Sequence, residues 1–462
     1  MRILFDQGVY DLRNKGNVAL LQVAVARFSK MWPAASLEVL TSAPHLLRLY
    51  CPCACPVSPD NRYDWTQRQN LATRIILRLP RFLLQALLEV REYLRARWPS
   101  FSPWLSWNRL TSSYLRSRRK NKGPTARDGG QQSAPVPSRA AFDAIKQATM
   151  FVATGAQYMS DACRDDALRV LDRLEEAHRL KIPTVMVGQG VGPIEDLALR
   201  MRAQAVLPLV DLIFIRDKTV GLPLLESLKV DRSRIVFTGD DAIELAYEAR
   251  ATLRGAAIGV SLRLSHYTEV TPDHLEVLRP ALLQAAARHG AELIAVPISH
   301  SAHELDDRVL KRLLGGAGKV VRYSRRLDAP VRLIRRVAQC RIVVTGCFHT
   351  AVFALSQGIP AVGLARSGMY VDKFLSLIDQ FGSACQLITL DGEQVCTKLT
   401  EAIDSAWNSA DQQCGPLLDA ARHHIKLGLS AYQRLYELVN SGDVEVKSLD
   451  VRKDPWLAKS HV

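Results

Sequence analysis

Short β-prone apolar runs alternate with longer amphipathic stretches along most of the chain, and that pattern predicts the architecture. Residues 2–5 read as a strand, Asp6–Asn17 as a loop with Gly8 and Gly16, Ala19–Lys30 as a helix, and Leu37–Thr41 as the next strand. Regular alternation resumes with strands at Thr149–Ala153, Thr184–Val187, Asp211–Ile215 and Ile235–Phe237. Helices at Asp165–Arg179, Met201–Val210, Val220–Leu228 and Ile243–Arg250 intervene or follow. After a break around Ala249–Gly255 a second set begins. Its expected strands are Ala257–Ser261, Glu292–Pro297, Lys319–Arg322, Ile342–Thr345 and Pro360–Val362, and its helices are Pro272–His289, Asp306–Leu314, Pro330–Gln339 and Ala351–Ser356. Helices then follow at Asp372–Phe381, Val395–Ser409 and Pro416–Asn440.

Buried strands alternating with helices imply parallel sheets covered on both faces. The expected fold is therefore α/β, with two doubly wound Rossmann-like domains facing a cleft in a GT-B-like arrangement. They occupy residues 1–250 and 255–390, followed by helices over 391–440 and a loose polar tail at 441–462. A chain of 462 residues is too long for one core, which agrees with two domains.

Residues 67–139 interrupt the first domain. Their first part reads as helices broken by Pro80, Pro99 and Pro103, with Leu83, Leu84, Leu87, Leu88 and Val90 as an apolar face. Their last part, from Arg116, is charged and rich in Gly, Ser and Pro, as a disordered linker is. Charge sharpens this picture. The net charge is +15, yet residues 68–122 hold thirteen Lys or Arg against Glu89 and Glu92, so +11 belongs to this basic helical insertion. With Trp98, Trp104 and Trp107 among the basic residues, an anionic membrane surface is the expected partner, and no nucleic-acid motif appears. The expected location is cytoplasmic, peripheral at the inner face of the plasma membrane, because no secretory leader and no run of about 18 apolar residues is present.

Nine cysteines without a paired spacing read as free thiols, Cys51, Cys53 and Cys55 included. His300, His303 and Asp306 have a metal-ligand composition, but they straddle a loop-to-helix junction and fit a polar cleft rim better. No metal is expected.

Candidate chemistry gathers where strands end. In open α/β sheets ligands bind beyond the carboxyl ends of the strands, and a helix N-terminus there favours an anion. The stretch Arg341–Gly363 has that form: a strand, then Gly346, Cys347, Phe348 and His349, then a helix. His349 is the natural acid/base candidate because imidazole titrates near neutrality. Arg216, Arg263 and Lys373 are candidate anion ligands. Asp240 and Asp241 fit a base or sugar-hydroxyl role, or the cap of the helix that follows.

The turns Asn14-Lys15-Gly16-Asn17, Gly188-Gln189-Gly190-Val191-Gly192-Pro193, Arg216-Asp217, Gly239-Asp240-Asp241 and Thr345 through Lys373 together resemble the polysaccharide pyruvyl transferase family. The resemblance spans roughly residues 2–382 without the insertion. It implies transfer of a pyruvyl group from phosphoenolpyruvate, a co-substrate rather than a bound cofactor, to a sugar of an exopolysaccharide or lipid-linked oligosaccharide precursor. His349 and Asp240 are the implied catalytic pair. Asn14, Gly16, Asn17, Gly155, Gln189, Gly190, Gly192, Arg216, Asp217, Arg263, His303, Gly346, Cys347, Phe348 and Lys373 would bind substrate. Two positions depart from the family: Asn17 stands for its Asp, and its Arg-Leu-His reads Cys347-Phe348-His349. Loss of that Arg, which in relatives contacts the donor, keeps open a GT-B glycosyltransferase using a nucleotide sugar.

Overall fold

A computed structural model describes residues 1–59, 79–80, 83–90, 139–301, 304–315 and 328–440. Most of the basic insertion, His303, the expected strand at Lys319–Arg322 and the tail lie outside the described residues.

The first half forms a seven-stranded parallel sheet in the order β3-β2-β1-β4-β5-β6-β7. Its strands are β1 (Arg2–Asp6), β2 (Ser36–Leu40), β3 (Ala54–Val57), β4 (Met150–Ala153), β5 (Thr184–Gln189), β6 (Leu212–Ile215) and β7 (Ile235–Phe237). The second half forms a five-stranded parallel sheet, β14-β13-β12-β8-β9. Its members are β8 (Ala257–Ser261), β9 (Leu293–Ala295), β12 (Cys340–Thr345), β13 (Ala361–Ala365) and β14 (Cys385–Thr389). A two-residue hairpin, β10 (His300–Ser301) with β11 (Glu304–Leu305), lies outside both sheets. Strand order reverses between β1 and β4 in one sheet and between β8 and β12 in the other, so each domain has a switch point at its carboxyl edge.

The domains are joined along their length. Lys15 N donates to the Ile298 carbonyl at 2.9 Å, and Ser301 Oγ donates to Asp11 at 2.7 Å. Beneath these bonds Ala19, Leu20, Ala242, Ile243 and Ala246 of the first domain share one buried apolar cluster with Phe348, Ala351, Val352 and Leu355 of the second.

Several expectations change. The two helices expected after residue 395 are a single helix, Val395–Asn440, with Pro416 inside it. Leu399 and Ile403 pack beside β8, Leu417 and Ala421 join the inter-domain cluster, and Ala431, Tyr432 and Leu435 reach the first domain's core beside Phe28 and Phe214. Burial along both domains holds the helix through the proline, whose missing N–H alone would favour a break. The stretch with Cys51, Cys53 and Cys55, given no element in the sequence reading, runs into β3. Helices at Pro44–Tyr50 and Arg139–Gln147 and strand β14 were not expected. All nine cysteines are free. No described helix is long and apolar enough to cross a membrane.

Candidate active site

Arg216 follows β6 directly, where a side chain leaves the sheet at its carboxyl edge. Its guanidinium is almost fully buried. It donates to Asp240 at 3.1 Å and to Gln157 Oε1 at 2.7 Å, and lies 4.3 Å from the centre of the Phe348 ring. Gln157 in turn donates to the Gly192 carbonyl at 2.7 Å. A first-domain cation is thereby pressed against a second-domain aromatic face, where cation–π attraction holds it.

Asp240 caps a helix with one oxygen and turns the other towards Arg216 and His349. Oδ1 accepts from the N–H of Ala242 at 2.9 Å, capping the helix Ala242–Glu248, while Oδ2 faces Arg216 and lies 3.7 Å from His349 Nε2. Burial raises its pKa, Arg216 and the Ala242 N–H oppose that, and Asp241 adds to it. Asp241 is a structural residue. It accepts from Arg27 at 2.7 Å and from the Tyr432 hydroxyl at 3.1 Å, facing away from the site.

His349 sits in the first turn of the helix Phe348–Leu355 and is buried. Its Nε2 is enclosed and has no hydrogen-bond partner among the described residues. Its pKa lies well below 6.5, first because burial disfavours the imidazolium and then because Arg216, Lys373 and Arg263 surround it with positive charge. The free protein therefore holds a neutral imidazole. Gly16, at the start of the helix Lys15–Met31, is what lets the ring lie there: a Cβ at that position would stand 2.1 Å from His349 Nδ1.

The third cation is already occupied. Arg263 donates to both carboxylate oxygens of Asp306, at 2.9 and 3.0 Å, and Asp306 also accepts from the N–H groups of Ile298 and Ser299. That pairing accounts for Asp306, and His300 Nδ1 lies 3.2 Å from Asp307, so no metal cluster forms among the described residues. Lys373, on the helix Gly368–Phe381, holds its ammonium 4.2 Å from the Tyr370 ring centre. A pocket between the domains is lined by Gln157, Gly192, Arg216, Phe348 and Lys373, and by the acids Asp217 and Asp372.

Other expected residues have structural duties. Gln189 is turned into the first domain, where its amide nitrogen donates to the Ala153 carbonyl and the Tyr158 hydroxyl at 2.9 and 3.1 Å, so it is not a substrate ligand in this geometry. Gly155 permits a close backbone approach, since a Cβ there would meet the Gly188 carbonyl oxygen at 2.2 Å. Gly190 leaves room for the Arg216 guanidinium in the same way. Asn14 caps its helix by accepting from the N–H groups of Gly16 and Asn17, which explains Asn14 without a ligand and gives the Asn17 backbone its partner. Gly346 packs on Leu262, and Cys347 is a buried N-cap whose N–H donates to Thr345 Oγ1 at 2.8 Å. Gln157 and Asp372 were not singled out in the sequence, and Asp306 was read there only as part of a polar cleft rim, not as the partner of Arg263. Only Asp372 carried a local signal, its place beside Lys373.

The family model described as polysaccharide pyruvyl transferase matches residues 14–368. No curated protein matches the sequence. Among solved structures the fold is similar to a putative UDP-N-acetylglucosamine 2-epimerase from Listeria monocytogenes, at 12% identity and a TM-score of 0.54 with 96% of each chain covered. It is also similar to S. aureus MnaA with UDP, at 11% identity, TM-score 0.52, and 95% of this chain and 97% of that one. The third is Anabaena HepE in complex with UDP, at 12% identity and TM-score 0.51, covering 96% of this chain and all of that one. These likenesses show the GT-B-like pairing of two Rossmann-like domains.

Proposed function

The chain belongs to the polysaccharide pyruvyl transferase family, and on that premise we propose that it moves a pyruvyl group from phosphoenolpyruvate to two hydroxyls of one sugar, in an exopolysaccharide or lipid-linked oligosaccharide precursor. The observation that carries this reading is the buried His349, 3.7 Å from Asp240, beside an inter-domain pocket lined by Arg216 and Lys373. A small polyanion suits such a place: Arg216 and Lys373 attract its phosphate and carboxylate, and the N-terminus of the helix Phe348–Leu355 adds backbone N–H groups. Arg216, stacked on Phe348, supplies positive charge beside the position where the family has Arg and this chain has Cys347.

Donor arrival also alters His349. Negative charge among the cations offsets the repulsion that keeps the ring neutral, so its pKa rises and it takes up a proton. The imidazolium then gives that proton to the donor's methylene carbon, which becomes the methyl group. A sugar hydroxyl adds to the adjacent carbon and loses its proton, phosphate leaves, and the second hydroxyl closes the ketal. Asp240, fixed by Arg216 and the Ala242 N–H, orients the imidazole and stabilises its charged form.

A calorimetric titration tests this directly. Phosphoenolpyruvate should bind saturably to the protein, and more than tenfold more weakly to Arg216→Met. Saturable binding of UDP-glucose or UDP-N-acetylglucosamine alone would reject it. That outcome is the nucleotide-sugar reading, which draws on Cys347 and on Arg263 being held by Asp306. The +11 carried by residues 68–122 is read as contact with anionic lipid. Indifference to phosphatidylglycerol vesicles would remove that part alone.

A further inference from the structure

The inter-domain pocket is not uniformly cationic. Beside Arg216 and Lys373 it is lined by Asp217 and Asp372, with Met369 and Phe348 as apolar walls. Asp217 spends one oxygen on the fold: Oδ1 accepts from the N–H groups of Val220 and Gly221, at 3.2 and 2.6 Å, starting the helix Gly221–Ser227. Its Oδ2 makes no hydrogen bond among the described residues although the residue is only 8% exposed. The Asp372 carboxylate, half-buried at the pocket wall, makes none among the described residues either. The two acids sense each other, because Asp217 raises the pKa of Asp372 beyond the effect of its partial burial. Burial likewise raises Asp217, against its two N–H donors, Arg216 and Lys373.

Unspent carboxylate oxygens in an anion-binding pocket work against the donor, so they call for a second ligand that donates hydrogen bonds. Sugar hydroxyls do. We propose that Asp217 and Asp372 form the acceptor subsite, binding the two vicinal or 1,3-related hydroxyls of a hexopyranoside, with Asp372 accepting the proton of the first to react. This rests on the pyruvyl transfer reading and adds to it the place and chemistry of the acceptor. The balance is complete. Two protons leave the sugar, one going to Asp372 and one departing with phosphate. The methylene takes its proton from His349, which Asp372 restores through solvent. Asp217, bound to the helix N-terminus, positions the second hydroxyl and is not required to change protonation.

The opposing possibility is a divalent cation between the acids. Arg216 and Lys373 in the same pocket disfavour it, and the experiment separates the two.

The test uses the full chain and its Asp217→Asn and Asp372→Asn variants, with phosphoenolpyruvate affinity measured first by calorimetry. Methyl α-D-glucopyranoside, methyl α-D-mannopyranoside and methyl β-D-galactopyranoside are then followed by saturation-transfer NMR with phosphoenolpyruvate present. Expected is transfer to at least one glycoside with the native chain, lost in both variants, while both bind the donor as tightly as the native chain or up to several-fold tighter. Absence of phosphoenolpyruvate binding to the native chain would refute the pyruvyl transfer reading itself. Given donor binding, the acceptor assignment is overturned by no transfer to any of the three glycosides, by transfer that survives in both variants, or by donor affinity that falls in the variants. A melting temperature that magnesium chloride raises in the native chain but not in Asp372→Asn would overturn it in favour of a cation site.

Discussion

At the scale of single residues, the site depends on one missing methyl group. Gly16→Ala would place Cβ 2.1 Å from His349 Nδ1, in a contact that neither the helix Lys15–Met31 nor the enclosed ring can relieve without moving. The expected cost is about 1–3 kcal/mol of stability, as for other overpacked interiors. Donor affinity should fall by more than tenfold, since His349 is displaced from the cations. Thermal melts with and without phosphoenolpyruvate read both, and an unshifted donor affinity would detach Gly16 from the site. At this scale the sequence was half legible. His349, Arg216 and Asp240 stood out because each follows a strand. Arg263 could be picked out by the same rule, but its pairing with Asp306, 43 residues away, could not. A pairing across that distance leaves no local trace. Gln189 misled for a related reason: its turn looks like a ligand loop, and only the packing of Tyr158 and Ala153 reveals that the side chain points inward.

Among elements, the helix Val395–Asn440 does most to fix the site, because it braces the two domains from behind. Tyr432 touches Phe28 and Phe214 and donates to Asp241, while Arg27 joins Asp241 to Glu244. Arg27→Met should cost about 3–5 kcal/mol, since it strands the buried Asp241 carboxylate, whereas Tyr432→Phe should cost only about 1–2 kcal/mol. Urea melts of the two variants give the order, and a reversed order would contradict the network. The same helix carries a pH response. His424 packs between Phe237 and Phe381, and burial lowers its pKa to about 4. Below about 6.5 the unfolded chain binds a proton that the folded one refuses, so stability is complete above that pH and is lost as pH falls towards 4. The loss reaches roughly 3 kcal/mol. The buried acids Asp240 and Asp241, with raised pKa values, act in the opposite direction. The contribution is therefore read as the difference in stability between the native chain and His424→Asn across that window; a constant difference would exclude it. Strand and helix alternation was legible for most of the described elements, though not for the helices Pro44–Tyr50 and Arg139–Gln147 or for β14, because buried parallel strands and amphipathic helices have different periods. The continuity of this helix was not. Pro416 is a local stop signal, and what overrides it is burial against two domains that are distant in sequence.

For the whole molecule, the question is whether two sheets behave as two bodies or one. Ala19, Leu20, Ala242, Ile243 and Ala246 are buried in one cluster with second-domain residues, and the Val395–Asn440 helix contributes to the cores of both halves. Exposing that shared cluster would leave each half with an apolar face, so separate unfolding is disfavoured and a single cooperative transition is expected in calorimetry. The site straddles the same boundary: Arg216, Asp217 and Asp240 come from one half, Phe348, His349 and Lys373 from the other. A donor bound there stabilises the joined form alone. At a free concentration of 100 times its dissociation constant it should add about 2.7 kcal/mol to the whole transition. Phosphoenolpyruvate should therefore move one peak without splitting it. Two peaks in the free protein, with only one responding to the donor, would mean that the halves fold independently and that the cation-lined pocket is completed by only one of them.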